Sequence, residues 1–356
     1  MIKRLLKIPA YFLIGTAALL LTAFLVCLIG RGINLITPSK GINETRYVDI
    51  NGSKQWISIY GKDTSNPVLL YIHGGPFLAT SSLDMPMMHK LGEDFTVINW
   101  DQRGCGHNCD EYPCTEAYTR DMVIKDGKEM TEYLRRAFNV DKIFLFGSSW
   151  GSVLGANLVL EYPVYYHALL ATSPIVDLYE HQKAFKDVML EKYKDDPDTL
   201  KLLNAFDPYG KQNEQVKVSA KLDKICVPDE NYLTGSEYNM ITGILFNPYA
   251  SIDQIGLLTF NSEKFDKLSG VAVPDIYELI SSMSLKDRTD YKVPVYYLAG
   301  KADLRIISCY VAIEDYYERI SAPDKDLRYV EGGHVAASTA SETISDYLRE
   351  IKAKCC

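Results

Sequence analysis

Ser149 stands in the run "KIFLFGSSWGSVLGANLVL", with Gly147 two positions before it and Gly151 two positions after it. The preceding "KIFLFG" is continuously apolar and reads as a buried strand, and "SVLGANLVL" reads as a helix ending near Pro163. A serine on so tight a strand-to-helix reversal is pushed out of the sheet, and the turn tolerates no bulk two positions away on either side. The helix start also offers a positive environment to a developing oxyanion. This context separates a nucleophile elbow from a GxSxG that falls by accident in a loop.

A serine hydroxyl is a weak nucleophile until a base takes its proton, so an acid and a histidine must follow it in chain order. Of the six histidines, only His167, His181 and His334 come after Ser149. His334 lies in "YVEGGHVAA", on a glycine-softened loop after a strand candidate, and is the expected base. His167 and His181 are expected to be ordinary solvated histidines. The expected acid is Asp303 in "LAGKADLRI", with Asp177 as its competitor. Oxyanion donors are expected from the backbone N–H of Trp150 and of Gly75 in "YIHGGPF", with Gly74 as the alternative for the second. His73 is expected to brace that loop. In "DQRGCGH", Asp101 and Arg103 read as turn residues bonding nearby backbone.

The elements that must position these residues follow from periodicity. Short β-like runs at 46–50, 55–60, 68–72 and 95–100 precede a region in which strands and helices alternate, so the sheet should be antiparallel at its start and parallel in its middle. From about Ile175 the strong strand signal stops and helical pieces alternate with polar stretches. It resumes at "VPVYYLAG" and "DLRYVEGG". The expected organisation is a membrane anchor over 1–31, a linker over 32–44, an α/β core over 45–174 and 291–356, and a helical cap over 175–290.

Taken together, "HGGP", "DQRGCG" and "GSSWGS", with the late Asp303 and His334, resemble the α/β-hydrolase superfamily, and most of all its prolyl aminopeptidase (proline iminopeptidase) branch. The likeness covers about 45–174 and 291–350. It implies an α/β-hydrolase fold, a mostly parallel central sheet flanked by helices, and removal of an N-terminal residue, typically proline, from short peptides through an acyl-enzyme without a metal. It also implies cap glutamates that hold the substrate amine; Glu180, Glu230, Glu237 and Glu278 are the candidates. The chain departs from the family pattern at Phe77, where glycine commonly follows HGGP, and at Ser148, where glycine usually precedes the nucleophile. No tryptophan occurs in the cap, so the family's tryptophan and glutamate motif there has no match.

The rest of the chain bounds the setting. Its 356 residues, 47% of them hydrophobic, suit a packed core, and a net charge of -8 argues against nucleic acid as a partner. The 23 residues from Ile8 to Gly30 carry no charge, and as a helix they would span ~35 Å, enough for a bilayer. Lys3, Arg4 and Lys7 precede them, which favours a cytoplasmic N-terminus and a single-pass protein with its catalytic domain outside the cytoplasm. A cleaved signal peptide is the alternative. Cys109 and Cys114 are spaced so that a disulfide could close their loop, and neither a metal nor another cofactor is expected. The expected function is therefore hydrolysis of a peptide or amide bond by a serine nucleophile. The alternatives are a carboxylesterase or lipase-like ester hydrolase and a non-catalytic ligand-binding protein of the same fold.

Overall fold

The computed structural model describes residues 7–76, 79–109, 111–210, 212–227, 240–250 and 273–356. Helix α1 (Lys7–Asn34) precedes β1 (Ile42–Ile50) and β2 (Ser53–Gly61), which form an antiparallel hairpin. Asn51 and Gly52 make its turn with φ of 47° and 72°, the left-handed pair that matches the twist of two hairpin strands. Alternation then begins: β3 (Val68–Ile72), α2 (Met85–Leu91), β4 (Thr96–Trp100), α3 (Arg120–Phe138), β5 (Ile143–Ser148), α4 (Trp150–Glu161) and β6 (Tyr166–Thr172). Helices α5 (Leu178–Lys192), α6 (Pro197–Ala205), α7 (Gln212–Cys226), α8 (Met240–Phe246) and α9 (Val273–Ser282) follow. The chain closes with β7 (Val295–Gly300), α10 (Tyr310–Arg319), β8 (Lys325–Val330), α11 (His334–Thr339) and α12 (Ser341–Cys355).

The eight strands form one sheet in the order β1-β2-β4-β3-β5-β6-β7-β8. β1, β2 and β4 pair antiparallel and every later pair is parallel, as the sequence pattern predicts. Its central strands are apolar on both faces because both are covered. Leu70, Ile72 and Leu145 pack with α4 on one side, and Leu69, Tyr71 and Phe144 pack with α2 and α12 on the other. Helix α4 is apolar nearly all round, with ten of its twelve residues buried, which suits a helix lying directly on the sheet.

Between β6 and β7 a separate apolar cluster forms. Phe185 and Met189 of α5, Leu203 of α6 and Leu222 of α7 meet Ile306 and Cys309 from the loop after β7. This contact fastens the helical segment to the core beside Asp303. At the other end, the Phe12–Asn34 stretch of α1 has a mean hydropathy of 2.6 with none of its window buried, so it is long and apolar enough to cross a membrane. Its last turn is not isolated: Arg31 Nε donates to the Leu245 carbonyl at 3.0 Å, and Asn34 Nδ2 donates to the Phe246 carbonyl at 2.9 Å.

Candidate active site

Ser149 occupies the step between β5 and α4 with φ 51° and ψ −117°, a conformation that an L-residue adopts only under constraint. The surroundings supply the constraint. The Ser149 N–H donates to the Thr172 carbonyl of β6 at 2.9 Å, and its own carbonyl accepts from the Ser152 N–H at 2.9 Å and from the Ser152 hydroxyl. A Cβ on Gly147 would strike the Gly151 carbonyl, and a Cβ on Gly151 would strike the Ile72 carbonyl. The small residues around Trp150 are therefore steric clearance between three backbone segments.

Two further strand ends bring side chains to the serine. His334 opens α11 just after β8, and its Nε2 lies 2.9 Å from Ser149 Oγ. Its Nδ1 lies 2.7 Å from Asp303 Oδ2, on the loop after β7. Burial deepens along this line: Ser149 is partly exposed, His334 is 7% exposed and Asp303 is 1% exposed. The second Asp303 oxygen accepts from the Ser308 hydroxyl at 2.8 Å, so the carboxylate is held as an acceptor on both sides. Sequence distances of 185 and 31 residues collapse here to single hydrogen bonds.

The remaining expected residues sit as follows. Trp150 is the first residue of α4, so its N–H has no intrahelical partner. Gly75 turns with φ 61°, and a Cβ on Gly74 would stand 3.2 Å from Ser149 Cβ, so the glycine loop lies against the serine. Among the described residues neither the Trp150 nor the Gly75 N–H has an acceptor. His73 is fully buried; its Nδ1 is 2.9 Å from the Gly74 carbonyl and its Nε2 is 3.1 Å from Gln102 Nε2. Burial lowers its pKa, so a neutral brace is its natural state. Asp177 points elsewhere: it caps α5 through the Glu180 N–H at 2.8 Å and accepts from Ser284.

The expectation that His167 and His181 are solvated is corrected. His181 is fully buried; its Nε2 accepts from the Val176 N–H at 3.1 Å and its Nδ1–H donates to the Cys309 carbonyl at 2.9 Å. Burial pulls its pKa down to about 4. Helix α5 returns to the β7 loop here, so the histidine ties two backbone segments that a solvated residue would leave free. His167 is partly buried and stacks on Phe144 with centroids 4.8 Å apart. In the DQRGCGH turn, Asp101 accepts from the His107 N–H at 2.9 Å as expected, while Arg103 reaches further, to Asp126 at 2.8 Å and the Asn51 carbonyl at 2.8 Å. The Cys109 thiol donates to the Gly104 carbonyl and the Cys114 thiol to the Glu116 carbonyl, each at 3.4 Å.

Sequence reasoning missed two supports. Gln102 links His73 to the Trp150 indole, accepting from Nε1 at 3.1 Å. Behind His334, Ser148 donates to Ser338 and Ser338 to Ser173, each at 2.9 Å, while Ser173 donates to the His334 carbonyl at 2.5 Å. Ser338, four residues past His334 on α11, was the only one of these with a helical-spacing cue. Of the expected cap acids, Glu180 is paired with Lys286 and Glu278 is exposed. Glu230 and Glu237, like Phe77, lie outside the described residues. Among the described residues no group of three metal-ligating side chains occurs.

A family profile described as the α/β hydrolase fold matches residues 67–206. A probable aminopeptidase of Bacillus subtilis, YbaC, is 26% identical over 297 residues, which are 82% of this chain and 90% of that one. The proline iminopeptidase of Thermoplasma volcanium is 25% identical over 170 residues; the match takes in 47% of this chain and 52% of the relative, so here the chain spans about half of its length. Among solved structures, the proline iminopeptidase of Mycobacterium smegmatis superposes with a TM-score of 0.59 at 16% identity, over 88% of this chain and all of that one.

Proposed function

We infer that this chain, an α/β-hydrolase by fold and similar in sequence to aminopeptidases, is a serine hydrolase that cleaves a peptide or amide bond through an acyl-enzyme. The observation that carries the reading is His334, hydrogen-bonded to Ser149 on one side and to Asp303 on the other. As substrate binds, His334 Nε2 takes the Ser149 proton while Oγ attacks the carbonyl carbon. Asp303 accepts the Nδ1–H, fixes the tautomer and stabilises the imidazolium. The carbonyl oxygen becomes an oxyanion facing the N–H groups of Gly75 and Trp150, which donate in a fixed array rather than reorganising as water would. His334 then returns the proton to the leaving amine. Water repeats the sequence on the acyl-enzyme and frees Ser149.

The preferred substrate is a short peptide with a free N-terminus, as the relatives' names suggest. An ester remains the second reading, because the two described cap acids weighed for amine binding are paired or exposed. A fluorophosphonate probe should label the protein and fail to label Ser149→Ala. N-acetylation of a peptide substrate should reduce kcat/KM by at least roughly a hundredfold if a charged amine is recognised. Equal turnover of acetylated and free peptides would move the protein to the ester reading, and labelling of Ser149→Ala would remove the nucleophile.

α1 is proposed as a single-pass anchor that leaves the rest of the chain on the extracytoplasmic side. Its length and hydropathy support spanning, and Lys3, Arg4 and Lys7 before its uncharged stretch support the orientation.

A further inference from the structure

His107 lies outside the Ser149–His334–Asp303 line, in the short turn Gly106–Asn108 after β4. Its Nδ1 is 2.7 Å from Asp101 Oδ2, and its Nε2 is 2.9 Å from the Tyr249 carbonyl oxygen. Both partners are acceptors. A neutral imidazole carries one N–H and can satisfy one of them, whereas an imidazolium carries two and satisfies both.

Two surroundings favour the charged form. Asp101 is fully buried, and among the described residues its Oδ1 has no hydrogen-bond partner and His107 is the one cationic group paired with it; a buried carboxylate without a counter-charge is strongly disfavoured. The Trp56 ring lies on the imidazole with centroids 3.9 Å apart and planes 16° from parallel, and a cation there is attracted to the aromatic face. Burial pulls the His107 pKa down, but the bond to Asp101 and its charge prevail and the net shift is upward. From the other packed elements, the Tyr47 hydroxyl of β1 donates to the His107 carbonyl at 2.9 Å, and Glu111 and Tyr112 bear on Tyr47.

We propose that His107, held as an imidazolium between Asp101 and the Tyr249 carbonyl, is a positioning residue that clasps segment 244–250 onto the core beside the glycine loop. That this segment borders a working active site rests on the hydrolase reading; the clasp itself does not. Two residues before Tyr249, Asn247 Nδ2 donates to the Ser81 and Ser82 carbonyls at 3.0 and 3.1 Å, shortly after the Gly74–Gly75 loop. On the opposite side Gln102, next to Asp101, bonds both His73 and the Trp150 indole. The clasp therefore holds the segment that Asn247 also fastens at Ser81 and Ser82 to Asp101, the neighbour of Gln102. With the His107 pKa raised on folding, its contribution is complete below about pH 6.5 and is lost as pH rises through the folded value.

The test is amide hydrogen exchange of residues 244–250 in the full chain in detergent micelles, from about pH 5.5 to about 9.5, corrected for intrinsic exchange. Protection should fall by about tenfold as pH rises. In His107→Phe, which keeps a ring on Trp56 and loses both bonds, it should be low and flat. Since that variant would be uninformative if it misfolded, nitrogen NMR of the unaltered protein should find His107 protonated at both ring nitrogens near neutral pH. A single-proton tautomer there, or protection indifferent to both pH and His107→Phe, would overturn the proposal. Fluorophosphonate labelling of the same samples separates the two readings: an unlabelled protein with a pH-dependent clasp defeats the hydrolase assignment alone, and a labelled protein with flat protection defeats the clasp alone.

Discussion

Asp303 and Asp177 look alike in the sequence, each an aspartate shortly after a core strand, and the structure separates them by what each one touches. Asp303 receives His334 Nδ1 and the Ser308 hydroxyl; Asp177 receives the first turn of α5. Asp303→Asn should lower hydrolysis by roughly 10³- to 10⁴-fold with the fold intact, by turning the imidazole to the wrong tautomer. Asp177→Ala should cost about 1 kcal/mol of stability through the lost cap and leave the rate nearly unchanged. Steady-state kinetics and urea denaturation of the pair would tell; a reversed pattern would transfer the acid role to Asp177. His181 yields a prediction of opposite character. Its folded pKa is depressed to about 4 by burial, so its contribution to stability is present above about pH 6.5 and is lost as pH falls towards 4. Urea titrations across that window should show a flatter acid loss in His181→Gln, and an identical slope would refute the linkage. That Ser149, His334 and Asp303 would meet could be read from the sequence because chain order and flanking glycines leave few choices. The roles of His181, Gln102 and Ser173 could not, since each depends on a backbone group brought near only by folding.

Elements were legible where the apolar pattern was continuous. The run "VLLYI" reads as a strand with the bounds it has as β3, and β5 is offset by one residue from "KIFLFG". Ends were less legible wherever tertiary contacts extend an element. β1 opens at Ile42 because its hairpin register with β2 carries on to Gly61, and α1 runs to Asn34, where its last turn meets α8. That contact changes what a truncation should do. The sequence suggests that residues 1 to about 30 lie apart from the catalytic fold, yet Arg31 and Asn34 cap the carbonyl end of α8, and the Phe246 ring sits against Gly30. A chain starting near residue 28 should keep segment 244–250 protected from proteolysis, and one starting at residue 37 should be cut there faster. Equal cleavage of the two would mean that the contact contributes nothing to order.

At the scale of the molecule, a chain of net charge -8 carries one long apolar helical stretch, Phe12–Asn34, with none of its hydropathy window buried. Hydrophobic surface of that extent on a soluble monomer would drive association. The full chain should therefore sediment with membranes and resist extraction at high pH, whereas the chain starting near residue 28 should be recovered in the soluble fraction. Release of the full chain by alkaline carbonate would count against spanning. What composition and hydropathy could not convey was the geometry that joins this helix to the rest, because hydrogen bonds between residues 31 and 245 leave no trace in a local pattern.

One feature of the sheet reaches beyond stability. β6 and β7 are neighbours, paired from Leu169↔Val295 to Thr172↔Leu298, although more than a hundred residues run between them. Closure entropy grows so slowly that doubling such an excursion costs only about 0.6 kcal/mol. The strands that set Ser149 and Asp303 in register are thus nearly indifferent to the length of what separates them. On the proposed reading, insertion, deletion or wholesale exchange between β6 and β7 should alter what the molecule accepts while Ser149, His334 and Asp303 stay where they are, so descent in such a lineage would be expected to preserve chemistry and diversify diet.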